Sequence, residues 1–411
     1  MKKRYYRGEP LDLLHTVAFN QLYPLVSCLV TLSSPVDIER LQCAVERTSK
    51  HLPQVLCRYQ PARNRWVTLP TRPNIITRLN DDDPLFQQPV DFLSGPQLKI
   101  FIQKQLLFIV MSHIFTDGAG FKQFLYLLAD NYNSRELAPH SLNERSCTSV
   151  IHTLLSRGQK YKAEINLPND ALKLPFTTNT STAKKYIDFV EIPKLSFQKI
   201  HQKAKHEHLT INDVIMAAYM AELARMTKQT KIALPCPIDL RPFLPSLSSA
   251  IANLTGEYGL AISIRRGDGL SSIAGKIHDQ ITSLSKERAF LQSIPTLLSI
   301  DHKLPVFLIR RIIAKYYHVQ SVSYTNFGIL DQRFHFDGKP ILHCTLTGSF
   351  RKTPQFQLAV STYRQVCTLS FCMIGSRLNR QEGHRLLQSV AFSLQKWSES
   401  GNCTAAQLTN H

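Results

Sequence analysis

The chain has 411 residues, of which 43% are apolar and 19% charged, and its formal net charge is +19. This length predicts one large domain or two of medium size, and the apolar content excludes a chain of the disordered class. The basic residues form short scattered groups without a nucleic-acid-reading motif. We therefore expect no nucleic-acid partner, and the charge favours small anionic ligands or an acidic protein.

The cysteine and histidine patterns predict no metal site. Nine cysteines are present, and no two have C-x-x-C spacing, which predicts reduced, mostly buried thiols in a cytoplasmic protein. His201, His206 and His208 do not share a helix face at i, i+4 spacing. The sequence has no secretory signal pattern and no apolar run long enough for a membrane span, so no transmembrane segment is expected.

The first half has the pattern of mixed α and β structure. Ser34-Pro35 suits the cap and first position of a helix, whose apolar face ends at Pro53. Residues 98–110 contain two strand-like runs, and the second is apolar enough to be a central strand. A helix is predicted from about Asp117, because apolar residues then recur at helical spacing.

A change of pattern divides the chain. Residues 134–183 are weakly patterned and end in a polar run at 177–182 that is typical of a linker, so we expect two units, residues 1–180 and 181–411. The second unit is predicted to contain strands at about 185–192, up to 239, 258–265, 355–363 and 366–374, and helices at about 195–206, 210–226, 270–287, 304–317 and 381–397. Each unit thus resembles an α+β layer, one sheet backed by helices.

The candidate chemistry lies where the predicted central strand meets the following helix. His113 at this corner can act as a general base, because the unperturbed pKa of histidine lies near operating pH. Asp117 can orient the imidazole or hold the loop by pairing with a distant cation, and Gly118 permits a turn or a close approach. The alternative is that Asp117 only caps the helix and His113 only ends a strand.

The run from His113 to Gly118 matches the H-x-x-x-D-G signature of the chloramphenicol-acetyltransferase-like superfamily. That superfamily includes condensation domains of nonribosomal peptide synthetases, plant BAHD acyltransferases, polyketide-associated acyltransferases and alcohol acetyltransferases. Four further segments resemble its members in the same order: 44–58, 210–218, the D-L-R-P segment at 237–242, and 323–328. Ser112 replaces the second histidine of many condensation domains, and the D-F-G-W-G segment of plant members is missing. The chain therefore resembles a stand-alone alcohol- or amine-acyltransferase of bacterial or fungal type.

This resemblance implies two similar lobes, each a mostly antiparallel or mixed sheet backed by helices, with an active-site channel between them. It implies that His113 acts as general base while an acyl group moves from a thioester to a hydroxyl or amine, with no covalent acyl-enzyme. The donor would be acyl-CoA or an acyl group on the phosphopantetheine of a carrier protein, and the acceptor a small alcohol or amine. No cofactor would be bound.

The resemblance also assigns supporting residues. Arg241 is expected to be the structural arginine that pairs with Asp117, since a bidentate pair holds a loop rigidly; the alternative is an exposed arginine before a proline turn. Thr325 and Asn326 are expected to stabilise the oxyanion, together with the N–H of the motif's glycine, although Asn326 also suits a turn. Asn253 is expected along the donor tunnel.

Two other functions stay open at this stage. The same fold could form amides as a stand-alone condensation domain of the nonribosomal peptide type, or it could be a non-catalytic binding protein, since fold does not fix function. An intact His113, Asp117 and Gly118 argue against the second, because a scaffold has no need of them. The sequence leaves open the acyl group, the acceptor and the choice between CoA and a carrier protein.

Overall fold

The structure, a computed structural model, describes residues 5–134, 142–156, 172, 174–178, 183–243, 248–291 and 294–400. The strands are β1 Tyr5–Arg7, β2 Leu22–Tyr23, β3 Leu25–Leu32, β4 Cys57–Gln60, β5 Arg65–Thr68, β6 Ile76–Arg78, β7 Leu98–Gln103, β8 Leu106–Ser112, β9 Lys184–Ile192, β10 Lys231–Asp239, β11 Thr255–Ser263, β12 Val322–Leu330, β13 Ile341–Thr347, β14 Phe350–Lys352, β15 Phe356–Tyr363 and β16 Val366–Gly375. The helices are α1 Ile38–His51, α2 Gly118–Asn133, α3 Cys147–Ser156, α4 Lys194–His206, α5 Ile211–Thr227, α6 Leu270–Lys286, α7 Ile294–Asp301, α8 Val306–Tyr316 and α9 Arg377–Glu399.

Two large sheets organise the molecule, as the predicted α+β class requires. One has the strand order β13-β3-β8-β7-β6, and the other has the order β12-β15-β16-β14-β2, with β9 also paired to β16. Two smaller sheets consist of β1-β5-β4 and β10-β11. The predicted hairpin of β15 and β16 is confirmed, and its turn residues Arg364 and Gln365 both have positive φ, as a tight two-residue hairpin turn requires.

Each large sheet contains a strand from the other half of the sequence. Strand β13 pairs antiparallel with β3, with Cys344 opposite Val30, although the two strands lie about 300 residues apart. Strand β2 pairs with β14 in the other sheet. The division at residue 180 stays a prediction, and part of its polar run, residues 179–182, lies outside the described residues.

The start of α1 differs from its prediction. Asp37, rather than Ser34, is the N-cap, and its side chain accepts a hydrogen bond from the Arg40 N–H at 3.0 Å. The Ser33 N–H donates to the carbonyl of Pro340 at 2.8 Å. The chain at this point therefore still runs beside the segment that leads into β13, and it can turn into a helix only after that contact.

The central strand predicted before the motif is confirmed as β8. It pairs with β3 on one side and with β7 on the other, and its residues Leu107 to Ser112 are all buried. A separate apolar cluster, which includes Leu25 and Phe108 from the first sheet and Phe350 and Cys372 from the second, fills the space between the sheets. The strand end that carries His113 is therefore fixed on several sides by packing.

The described cysteines are mostly buried, as the sequence predicts. All eight are free thiols and seven are buried, whereas Cys403 lies outside the described residues. None of the helices in the described ranges combines the length and apolar character needed to cross a bilayer. No group of three or more metal-ligating side chains occurs in that part of the chain either.

Two helical glycines allow a matched test of the packing of α9. A Cβ on buried Gly383 would lie 2.8 Å from the ring of Phe371, whereas a Cβ on Gly275 in α6 would meet nothing within 4 Å. We expect Gly383→Ala to lower the free energy of unfolding by about 1–3 kcal/mol through overpacking. Gly275→Ala should raise it by about 0.5–1 kcal/mol through reduced chain entropy. Urea denaturation measures both, and a Gly383→Ala variant as stable as Gly275→Ala would contradict the packing described.

Candidate active site

His113 borders a cavity of about 260 Å³ whose wall comes from both halves of the sequence. Asp117 and Gly118 contribute from the first half, and Thr325 and Asn326 contribute from β12. The structure thus brings five of the seven predicted site residues to one cavity. The other two, Arg241 and Asn253, lie buried behind it.

The carboxylate of Asp117 is fully engaged by buried partners. It accepts hydrogen bonds from Arg241 at 2.9 and 3.2 Å, from the N–H groups of Gly120 and Leu254 at 2.7 and 2.6 Å, and from the Thr255 hydroxyl at 2.9 Å. Burial opposes ionisation of this group, but the charge of Arg241 and the hydrogen bonds hold the pKa of Asp117 below its ordinary value. Asp117 is therefore a carboxylate that holds the loop, and it also caps α2.

Arg241 is buried, which excludes the alternative of an exposed arginine. Its guanidinium binds Asp117 through both terminal nitrogens and also binds Asp239 at 2.8 Å. The remaining donors reach the carbonyls of Ala250 and Ala252, each at 2.9 Å. The pairing predicted between Asp117 and Arg241 is present, and it joins the His113 loop to the segment after β10.

Gly118 is needed because of a close approach rather than for its backbone freedom. It is not among the glycines of positive φ. A Cβ at this position would lie 2.7 Å from the ring of Phe327, a buried residue of β12. Any larger residue would therefore push β12 away from the start of α2.

The imidazole of His113 lies at the border of the cavity. Its Nδ1 atom is buried and has no hydrogen-bond partner. Burial lowers the pKa of His113 below its ordinary value, although its own backbone, the charge of Asp117 and the side chain of Asn253 oppose this effect. The ring is therefore neutral at physiological pH, the form that a general base requires.

Asn253 lies behind His113 rather than along the cavity. Its amide nitrogen donates to Asp12 at 2.9 Å and to the carbonyl of Ile114 at 2.8 Å. Its interaction with His113 favours the protonated imidazole. Asn253 is thus a positioning residue in this structure, and its expected place in a donor tunnel does not agree with these contacts.

A second buried ion pair was not foreseen from the sequence. Arg145 binds both carboxylate oxygens of Asp12 at 3.1 and 3.0 Å and also donates to the carbonyls of Phe115 and Ile251. The loop after His113 is therefore fixed from a second direction. Arg145 lies in the weakly patterned segment, and nothing in its local sequence distinguishes it from an exposed arginine.

His15 is a further residue that the sequence did not reveal. Its ring stacks on that of His113, with 4.0 Å between ring centroids and 21° between planes. Burial and the nearby His113 both depress the pKa of His15 well below its ordinary value. His15 and Asp12 lie on the same turn, Pro10–Thr16. This N-terminal turn therefore covers one face of the candidate base.

The predicted oxyanion residues lie at a bulge of β12. The carbonyl oxygen of the Asn326 side chain accepts from the Gly328 N–H at 2.8 Å, and its amide donates to Asn212 at 3.1 Å. The Asn326 side chain also interacts with the Tyr324 side chain; burial raises the pKa of Tyr324 overall, and this interaction lowers it in part. Thr325 borders the same cavity. Their role toward an oxyanion stays a prediction.

The buried pair should dominate the stability of the site. We expect Asp117→Asn to lower the free energy of unfolding by about 3–5 kcal/mol, because the buried guanidinium then keeps only the partly exposed Asp239 as its charged partner. Coupling with Arg241→Gln in a double-mutant cycle should exceed about 0.5 kcal/mol. Asp239→Asn is the matched control, since Asp239 pairs with the same arginine but is 38% exposed, and it should cost only about 1 kcal/mol.

The same pair has a defined pH dependence. Because the pKa of Asp117 is lower in the folded state, its stabilisation is complete above the ordinary value of 3.8 and is lost as pH falls through the folded value. Urea denaturation at neutral and acid pH measures this effect. The difference in the free energy of unfolding between wild type and Asp117→Asn should become smaller in acid. A difference that does not change with pH would contradict an ionised Asp117.

The stacked histidine should control the protonation of His113. In His15→Ala, water reaches the ring of His113, so its pKa should rise toward the ordinary value of 6.5. His15→Phe keeps an aromatic cover and should leave the pKa of His113 low. Nuclear magnetic resonance titration of the imidazole measures both variants, and identical His113 titrations in the two would exclude a role for the stack.

Comparison with known proteins shows what this arrangement is similar to. No protein-family model matches the chain. An alignment of 199 positions, which covers 42% of this chain, is 25% identical to part of a plipastatin synthase protein of Bacillus subtilis (strain 168). The alignment covers only 5% of that protein, so the chain corresponds to a small part of its length.

Solved structures resemble the chain over nearly its whole length. Polyketide synthase associated protein 5 from Mycobacterium tuberculosis has a TM-score of 0.65 at 13% identity, covering 95% of this chain and 97% of that one. The EpoB cyclization-docking bidomain from Sorangium cellulosum has 0.66 at 15%, covering 96% and 85%. The first condensation domain of the calcium-dependent antibiotic synthetase has 0.64 at 12%, covering 96% of each chain. The chain therefore has the two-lobe fold of condensation domains.

Proposed function

We propose that this protein is an acyltransferase that moves an acyl group from a thioester to a hydroxyl or amine, with His113 as general base. The observation that most supports the proposal is the neutral imidazole of His113 on a cavity bounded by both halves of the chain. Two buried ion pairs hold the loop around it. A fixed neutral base beside a cavity that can hold the substrates is the arrangement that general-base catalysis requires.

In the proposed step, Nε2 of His113 removes the proton from the acceptor hydroxyl or amine as that atom attacks the thioester carbonyl carbon. The new C–O or C–N bond forms while the carbonyl oxygen becomes an oxyanion. The C–S bond then breaks, and the thiolate takes the proton from the imidazolium, so no acyl-enzyme is formed. Thr325, the side-chain amide of Asn326 and the N–H of Gly118 are the proposed oxyanion donors.

The proposed donor is acyl-CoA or an acyl group on the phosphopantetheine of a carrier protein, and the acceptor is a small alcohol or amine. Both donors are anionic, and the net charge of +19 would attract either. We propose that the protein works in the cytoplasm without a bound cofactor. The stand-alone enzyme type suggested by the motif is part of the same proposal.

Amide formation is the second candidate. It is favoured by the local similarity to the plipastatin synthase protein and by the condensation-domain fold. Release of free thiol from short- and long-chain acyl-CoA, measured with panels of alcohols and of amines, separates esters from amides. Absence of transfer from both CoA and carrier-protein donors would favour a non-catalytic binding protein on this fold.

Replacement of the candidate base tests the proposal directly. We expect His113→Ala to lose about 10²–10⁴-fold in the rate of transfer while remaining folded, because general-base catalysis contributes this much. His335→Ala, at an exposed histidine outside the cavity, is the matched control and should retain full activity. A folded His113→Ala protein that keeps more than about a third of the wild-type rate would exclude His113 as the base.

A further inference from the structure

The cavity beside His113 contains a buried cation that the proposed chemistry does not use. Arg351 in β14 borders this cavity and is only 7% exposed. Its Nη1 atom donates to the carbonyl of Gln320 at 3.1 Å, whereas its Nε atom is buried without a hydrogen-bond partner. The guanidinium edge that includes Nε is therefore available to a ligand, and this edge can bind a carboxylate through two parallel hydrogen bonds.

A second unsatisfied donor lies in the same wall. The hydroxyl of Ser323 in β12 is buried, has no hydrogen-bond partner and borders the same cavity. An unsatisfied buried polar group costs about 1–3 kcal/mol, so native proteins normally supply it with a partner. Two buried donors on one cavity, one of them a cation, call for a ligand that is rich in acceptor atoms and negatively charged.

The electrostatics of the cavity agree with such a ligand. Burial lowers the pKa of Arg351 to about 10, so the guanidinium is still charged at neutral pH. Glu257, which borders the cavity too, has its pKa raised to about 7 by burial, so it offsets that charge only in part. The charge of Arg351 also lowers the pKa of His113. The cation therefore lies within electrostatic reach of the candidate base.

We propose that Arg351 and Ser323 bind a carboxylate of the substrate and thereby select a carboxylated acceptor or a dicarboxylic acyl group. The inference rests on the proposed function, because it concerns the substrate of the same cavity. The phosphates of CoA or phosphopantetheine lie a whole pantetheine arm from the thioester. Arg351 borders the same cavity as His113 and acts on its pKa, so we assign the anion to a reacting partner rather than to these phosphates.

Binding of a simple dicarboxylate tests the site without any transfer. Glutarate and its neutral diamide, glutaramide, would be titrated calorimetrically into the full chain. We expect glutarate to bind wild type and to bind Arg351→Gln about 10- to 100-fold more weakly, since a hydrogen bond to a charged group is lost. Arg351→Lys should bind with intermediate affinity. Lys352→Gln, the same charge change on the exposed neighbouring residue of β14, should bind like wild type.

Transfer assays then identify which reacting partner carries the carboxylate. Butyryl-CoA and succinyl-CoA form one pair of donors, and butylamine and 4-aminobutanoate, with butanol and 4-hydroxybutanoate, form the pairs of acceptors. Wild type should prefer the carboxylated member, either of the donor pair or of the acceptor pairs, by about 10- to 100-fold in kcat/KM. Arg351→Gln should lose that preference. The readout is therefore the ratio of kcat/KM values within each pair rather than the absolute rate.

The outcomes separate this inference from the proposed function. Transfer without any carboxylate preference, or equal glutarate binding by wild type and Arg351→Gln, overturns the inference and leaves the acyltransferase proposal standing. Arg351-dependent glutarate binding without transfer supports the site while the proposed function fails. If Arg351→Gln does not fold, Glu257→Gln decides: removing the competing carboxylate should tighten glutarate binding, and unchanged or weaker binding overturns the inference.

Discussion

The buried pair of Asp117 and Arg241 is the interaction on which the arrangement of the site depends. Removing two charges from water is costly, and the cost is offset only when the remaining donors and acceptors are also satisfied. Here the Asp117 carboxylate accepts two hydrogen bonds from Arg241 and three more from two backbone N–H groups and a hydroxyl. The guanidinium also reaches Asp239 and two carbonyls. Such complete pairing has only one geometry. The end of β8, the start of α2 and the segment after β10 are therefore fixed together.

The second pair, Asp12 with Arg145, fixes the same loop from the N-terminal side. Asn253 connects this pair to the His113 loop, because it binds Asp12 and the carbonyl of Ile114 and also acts on His113. Because the turn that carries Asp12 also carries His15, this network sets both the position of His113, the candidate base, and the burial of its ring. A side chain held on several sides loses little freedom when substrate binds, which is the condition that efficient proton transfer needs.

Local signals in the sequence predicted helices and strands, whereas the features that they did not predict depend on long-range pairing. The sequence predicted the strand before His113, the helix after Asp117 and the hairpin at Arg364, because each is encoded in a few neighbouring residues. Ser34 is not a cap because the preceding residue bonds to Pro340. The position of β13 beside β3, like the pairing of Arg145 with Asp12, depends on partners more than 130 residues away. No periodicity or spacing rule reports such contacts.

The site also shows how one environment can hold a candidate base and a cation together. Burial lowers the pKa of His113 below its ordinary value of 6.5 and lowers that of Arg351 to about 10. Burial thus makes the imidazole neutral but leaves the guanidinium charged, because the ordinary pKa values of the two groups are so far apart. A neutral base can accept a proton without first losing one, and a neighbouring cation disfavours the imidazolium until a negative charge is present. A carboxylate bound at Arg351 would supply that charge, so that substrate binding itself would raise the basicity of His113 at the moment it is needed.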